Sequence, residues 1–321
     1  MQRRRLGRTG LDVSVLGYGA GAVGGLMTKG EARDQERAVA RAMEAGINYF
    51  DTAALYGNGE SERNLGRVLK ALKADVIVGT KFRLKAADRA HVADSVARSM
   101  EESLARMGRD HVDLFQLHNP LVARDADDRM AIDIALDEVA PALEKLRKAG
   151  KTRFIGFSGV GETAALHRAI ESKLFDTVQV VYNALNPSAG EPMPKGAPGQ
   201  DYGRLLDKTK AVDMGTIIIR ALAGGALAGT AERHPLAMQV VDPIGSAPDF
   251  AGDVARARGL EPLVKEAGAS SLAELAQRFV ISHPGVHTML VGYSTLDQLD
   301  TAIAAVSKGP LSEGVLKRLV A

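Results

Sequence analysis

The chain has 321 residues, 45% hydrophobic and 25% charged, and its 41 basic and 39 acidic side chains leave a formal net charge of +2. That is the profile of a soluble globular protein, with no electrostatic reason to expect nucleic acid. Cysteine is absent, which excludes disulfides, thiolate nucleophiles and sulfur-built zinc sites, and no run approaches the roughly 20 apolar residues of a membrane helix.

The chain opens with "RRRLGRTGLDVSV", which reads as a short hairpin turning at "GRTG". Arg3, Arg4 and Arg5 precede no apolar stretch, so no secretory signal is expected, and a cytoplasmic location fits the lack of cysteine. Eight apolar or β-branched runs follow as strand candidates. The first four are "VSVLGYG" (13–19), "INYFD" (47–51), "VIVGTK" (76–81) and "VDLFQLH" (112–118). The last four are "TRFIGFS" (152–158), "TVQVVYN" (177–183), "GTIIIRA" (215–221) and "HTMLVG" (287–292). Amphipathic stretches lie between them. In "HVADSVARSMEESLARMG", Val92, Val96, Met100, Leu104 and Met107 recur at helical spacing while Arg98, Glu101 and Arg106 can face water. Glycines at 46, 108 and 150 mark helix ends.

Eight alternating strand–helix units predict a (β/α)8 barrel spanning 1–321 as a single domain, with an N-terminal β-hairpin. The competing open, doubly wound sheet wants a G-x-G-x-x-G turn after its first strand, and "GYGAGAVGG" (17–25) has the wrong spacing. Two irregular segments, 183–203 and 223–252, follow the sixth and seventh strands. As long loops they are expected to cover the C-terminal face, where barrels carry their active sites.

Polar residues terminate consecutive strands. Asp51 ends the second, Lys81 the third and His118 the fourth, and in a barrel these ends are neighbours. Tyr56, on the loop after the second strand, can reach the same rim. A phenol is a poor acid at neutral pH unless its phenolate is stabilised. Lys81 would supply that stabilisation, Asp51 would hold Lys81 charged and in place, and His118 would orient a carbonyl oxygen or share the proton. Singly, each has a bland reading: a structural ion pair, a turn histidine, a packed tyrosine. Together they suit protonation of the alkoxide formed when hydride reaches a carbonyl carbon, without a metal.

At these residues the chain resembles the aldo-keto reductases. The matching pieces are "FDTAALYGNGESERNLG", "VGTK", "DLFQLHNP", "GKTRFIGFSG", "VQVVYNALN" and "GVHTMLVGYSTLDQL", in the family's order and across nearly the whole chain. The resemblance implies a barrel that binds NADPH extended and reduces aldehydes or ketones, or runs in reverse, with Asp51, Tyr56, Lys81 and His118 as the catalytic tetrad and Tyr56 as general acid. It implies that Ser158 and Gln179 hold the nicotinamide carboxamide, a pairing their hydroxyl and amide suit. It also implies that Gly19, Asp51, Ile219, Arg220, Leu222, Gly224, Gly225, Gly292, Ser294 and Gln298 line the cofactor.

The match departs from the family pattern in places. Gly159 replaces an asparagine, and "IRAL" (219–222) replaces an aromatic followed by Ser-Pro-Leu. Arg220 either stacks through its planar guanidinium or pairs with Asp242 or Glu232. "GYSTLDQLDTA" (292–302) lacks the basic residues that NADPH-preferring members place at the 2′-phosphate, and Ala302 stands where an asparagine is usual. Hydroxyls and the helix N-terminus near Thr295 remain as phosphate donors, with Asp297 opposing. The family points to NADPH, and NADH stays open.

Tyr18, Leu55 and Asn119 are expected in the substrate pocket. With no tryptophan in the chain, sugars, small aldehydes and α-dicarbonyls fit better than steroid-like rings. Besides a carbonyl reductase, the alternatives are an NAD-dependent aldose dehydrogenase, a slow redox-sensing regulatory subunit, and a non-redox barrel hydrolase or isomerase based on Asp51 or Glu60.

Overall fold

Eight parallel strands close into a barrel in the computed structural model, which describes residues 1–320. Ahead of the barrel, β1 (Arg3–Arg5) and β2 (Asp12–Ser14) form the antiparallel hairpin. The first barrel strands are β3 (Leu16–Gly19), β4 (Tyr49–Asp51), β5 (Ile77–Phe82) and β6 (Val112–Leu117). A small parallel pair, β7 (Leu121–Val122) and β8 (Met130–Ala131), intervenes. Then come β9 (Thr152–Gly159), β10 (Thr177–Val181), β11 (Gly215–Ile219) and β12 (Thr288–Gly292), which pairs back onto β3. Each barrel strand lies where an apolar run predicts it, with one revision. The run 13–19 is shared between two sheets: Val15 N–H bonds to Gln2 carbonyl at 3.0 Å, so residues up to Ser14 belong to the hairpin and the barrel strand starts at Leu16.

The amphipathic stretches form helices where their periodicity puts them, at Ala32–Glu44 and Val92–Met107, the latter burying Val92, Val96, Met100, Leu104 and Met107. Gly46, Gly108 and Gly150 all adopt positive φ after helix ends, a conformation that costs glycine nothing sterically.

Two-residue alternation sorts the strands into two apolar layers. One lies between strands and helices and includes Leu16, Tyr18, Phe50, Val78 and Phe115. The other lies inside the barrel, where Tyr49, Leu114 and Ile217 meet Leu6, Leu11 and Val13 from the hairpin. The hairpin thus closes the N-terminal end. Each such buried aliphatic side chain contributes about 1.5–3 kcal/mol. Inward positions one step higher on the strands are polar: Asp51, Lys81, Gln116 and Gln179.

Close helix packing makes one glycine essential. A Cβ on Gly66, in helix Glu60–Ala71, would lie 2.2 Å from the carbonyl oxygen of Met107 at the end of helix Val92–Met107. Backbone on both sides cannot yield cheaply. Gly66→Ala should therefore lower unfolding stability by about 1–3 kcal/mol, read as a reduced urea midpoint at unchanged slope.

Candidate active site

The rim begins with Asp51, the last residue of β4 and almost fully buried. Its carboxylate forms an ion pair with the Lys81 ammonium, and accepts from Tyr49 Oη at 2.9 Å, Gln179 Nε2 at 2.8 Å and Gln116 Nε2 at 3.3 Å. Lys81 is itself buried on β5, and its three N–H donors go to Asp51, to the Thr52 carbonyl at 2.6 Å and to Tyr56 Oη at 3.4 Å. Burial works against the ammonium, but the charges and hydrogen bonds of Asp51 and Tyr56 outweigh it and hold the Lys81 pKa above its ordinary value. Lys81 is therefore a permanent cation beside a phenol.

Tyr56 stands on a loop fixed at both ends. Its N–H bonds to Ala53 carbonyl at 3.0 Å and its carbonyl accepts from Ser61 N–H at 3.2 Å. Ser61 Oγ donates to Ala20 carbonyl at 2.7 Å, and the buried Glu62 accepts from Thr80 Oγ1 at 2.6 Å and from Arg106 Nε at 2.5 Å. The polar part of "GNGESERNLG" thus pins the loop that carries the phenol.

His118 follows β6 and meets Tyr56 edge to face, ring centroids 5.8 Å apart. Its Nδ1 is buried without a partner. Burial, then the charges of Lys81 and Arg83, push its pKa down to about 3, so the ring is neutral at physiological pH.

These groups open into a cavity of about 690 Å³ on the C-terminal face. Asp51, Tyr56 and His118 border it, as do Leu55, Gly19, Gln179, Ile219, Arg220, Leu222, Gly224, Gly225, Gly292, Ser294 and Gln298. The long loops after β10 and β11 roof the face and are tied together, Asn186 Nδ2 donating to the Gly245 carbonyl and Gln200 N–H to the same carbonyl at 3.3 Å. Arg233, absent from the sequence reading, reaches across: its guanidinium donates to Gly224 carbonyl at 2.9 Å, to Val23 carbonyl at 3.4 Å and to Met238 carbonyl. Its only signal in sequence is that it is the lone arginine of segment 223–252.

Several expectations change. Tyr18 does not border the cavity: strand alternation turns it outward, where it stacks on Phe50 at 5.3 Å and meets Tyr293 at 5.4 Å. Asn119 is fully buried and brackets the backbone of Leu84, accepting from its N–H at 2.9 Å and donating to its carbonyl at 2.8 Å, so no polar atom is left for substrate. Arg220 pairs with neither Asp242 nor Glu232 side chain; its Nη1 donates to the Asp242 backbone carbonyl at 3.1 Å. Ser294 Oγ donates to Gly24 carbonyl at 2.5 Å, and its N–H goes to Gln298 Oε1 at 2.8 Å. Both groups expected at a phosphate therefore already have protein partners.

The cavity fits a nicotinamide cofactor. Ser158 does not itself border the cavity, but its Oγ is buried without a partner and it pairs in register with Gln179, which does border it and whose Nε2 is spent on Asp51 while its Oε1 stays free. A hydroxyl and an amide oxygen match a primary carboxamide. Gly224 and Gly225, at φ 70° and 110°, provide a wall without side chains where a diphosphate can approach backbone.

The model of the aldo/keto reductase family matches residues 15–321. The chain belongs to that family and is an NAD(P)-dependent oxidoreductase that reduces aldehyde or ketone carbonyls to alcohols. It is 30% identical to L-galactose dehydrogenase of Arabidopsis thaliana over 96% of this chain and 89% of that protein. It is 33% identical to D-threo-aldose 1-dehydrogenase of a Pseudomonas species over 58% of this chain and 62% of that one. The holo form of aldo-keto reductase AKR11C1 from Bacillus halodurans has the same fold, with a TM-score of 0.72 at 24% identity, covering 100% of this chain and 97% of that one. No helix of the described residues is long and apolar enough to cross a membrane.

Three histidines, His118, His283 and His287, all lowered chiefly by burial, make stability pH-dependent. His118 sits at about 3 and His287, lowered mainly by burial, at about 4. Between those values and the ordinary histidine value near 6.5, the unfolded chain binds protons that the native state does not, so stability falls as pH drops through that window. The melting temperature should decline below pH of about 6.5, less steeply in His118→Asn, and the pH–rate profile of the wild type should show no inflection from His118 near neutrality.

Proposed function

We propose that Tyr56 is the general acid of a carbonyl reductase that also runs as a sugar-type alcohol dehydrogenase, with NADH favoured over NADPH. The observation carrying the acid assignment is the Lys81 ammonium 3.4 Å from Tyr56 Oη, itself clamped by Asp51 and the Thr52 carbonyl. A cation at that distance in a buried site stabilises the phenolate left when the proton goes to the substrate oxygen.

When bound, the nicotinamide supplies the hydride. Ser158 and Gln179 would hold its carboxamide, Ile219 and Leu222 would give apolar contact, and Gly19, Gly224, Gly225 and Gly292 would let the backbone approach the rest of the cofactor. Neutral His118 would orient the carbonyl oxygen toward Tyr56 Oη. In the oxidative direction the same phenol, as phenolate, takes the proton back.

Support for NADH comes from the far end of the cavity. Thr230, Glu232, Asp297, Gln298 and Thr301 border it, Arg233 is engaged by three carbonyls, and the donors of Ser294 are used. A 2′-phosphate there would bring negative charge beside two carboxylates, whereas a 2′-hydroxyl can donate to one. The two dehydrogenases named above lend the oxidative direction further support, each by its own name.

Tyr56→Phe should lower kcat by about 10²–10⁴-fold while cofactor affinity, followed by isothermal titration calorimetry, stays within about threefold. Undiminished turnover in that variant would remove Tyr56 from its role. Asp297→Lys should raise the ratio of kcat/KM for NADPH over NADH by about tenfold; an unmoved ratio would place the 2′ position elsewhere.

A further inference from the structure

We propose that Arg220 makes the site selective for carbonyl substrates bearing an anionic group, a carboxylate or phosphate, on the part of the molecule remote from the reacting carbon. The proposal rests on the reading of Tyr56 as proton donor and adds the class of substrate.

Arg220 is the first residue after β11 and adopts φ 58°, a left-handed conformation rare for a residue with a Cβ. Its carbonyl is held by Asn183 Nδ2 at 2.9 Å, from the loop after β10, so the neighbouring strand end dictates the turn. Strained residues of this kind persist where the surroundings over-determine them, and they cluster at ligand clamps. The consequence is that the side chain borders the same cavity as Tyr56 and His118.

The guanidinium has five N–H donors and makes a single hydrogen bond, through Nη1 to the Asp242 backbone carbonyl at 3.1 Å. Among the described residues it forms no ion pair with a carboxylate, although burial is the main influence on it and lowers its pKa. Arginine stays charged regardless, so a cation partly removed from water stands without a directly paired carboxylate, the Asp242 charge acting on it only through space. Arg83, one residue beyond β5, adds a second guanidinium whose Nε is buried without a partner. Two carboxylates act here: Asp51, already matched by Lys81, and Asp242, whose charge reaches Arg220 without forming an ion pair, so the three cations Lys81, Arg83 and Arg220 remain in excess. The catalytic end therefore carries uncancelled positive charge, framed by Leu55, Val160, Ile219 and Ile244, whose apolar surfaces strengthen any electrostatic contact made there. A planar fork with open donors in such a place matches a carboxylate or phosphate, and a neutral hydroxyl would leave the charge unmet.

The competing assignment is the cofactor diphosphate, and a matched pair of aldehydes separates the two. The full-length protein is assayed with NADH and either 4-carboxybenzaldehyde or 4-nitrobenzaldehyde, similar in shape and different in charge. Glyceraldehyde 3-phosphate against glyceraldehyde forms the phosphate arm. Intrinsic reactivity cancels when the anionic-to-neutral ratio of kcat/KM is compared between wild type and Arg220→Met. That ratio should fall about tenfold or more in at least one arm, through KM of the anionic aldehyde, and Arg220→Lys should recover part of it. An unchanged ratio in both arms overturns the proposal, and a weaker NADH affinity alongside it would assign Arg220 to the cofactor. If the wild type turns over none of the four aldehydes, the reading of Tyr56 fails. The charge question is then decided by binding to the NADH complex of 4-(hydroxymethyl)benzoate against 4-nitrobenzyl alcohol: preference for the benzoate, lost in Arg220→Met, upholds the proposal, and equal binding overturns it.

Discussion

The buried ion pair between Lys81 and Asp51 is the constraint on which the rest of the site depends. Two charges removed from water are costly, and the cost is recovered only when geometry is good and every remaining donor and acceptor is satisfied. Here the barrel meets that demand from four strands: Tyr49 and Asp51 on β4, Lys81 on β5, Gln116 on β6 and Gln179 on β10. Removing one member of such a pair typically costs about 3–5 kcal/mol, so the arrangement that keeps Lys81 charged for chemistry also ties the barrel together. Gly79 belongs to this network by having no side chain, since a Cβ there would sit 2.8 Å from Tyr49 Oη.

Around that pair, the charges of Lys81 and Arg83 act on a neutral histidine beside a phenol, and Arg220, Arg233, Glu232 and Asp297 border the cavity beyond. The roof is not loose. Asn186, Gln200 and Gly245 join the two long loops, and Arg233 fastens the second loop to its own start at Gly224 and to Val23, in the segment after β3, through backbone carbonyls. A ligand entering this cavity exchanges water for fixed dipoles and charges already in position, which is the physical basis of preorganised catalysis.

The eight strands, the helices that end at glycine and the convergence of Asp51, Tyr56, Lys81 and His118 were legible because each rests on a local pattern: an apolar run, a 3.6-residue period, or the first ionisable residue after a strand. Tyr18 and Asn119 misled for one shared reason. Adjacency in sequence to a site residue says nothing about which way a side chain points, and alternation sends Tyr18 outward while two backbone groups of Leu84 claim Asn119. Ser294 looked available because a sequence does not reveal that the Gly24 carbonyl lies within 2.5 Å.

Sequence by itself determined the barrel, the order of its strands and the residues at their ends, because periodicity and chain order are local properties that the fold inherits directly. Only tertiary structure decided what those residues can still do. Whether Gln179 has both amide atoms free, whether Arg220 meets a carboxylate, and whether a lone loop arginine crosses the cavity mouth depend on partners 22 to 210 positions away. Hydrogen-bond partnership at that range is fixed by closure of the barrel, and no local pattern encodes it.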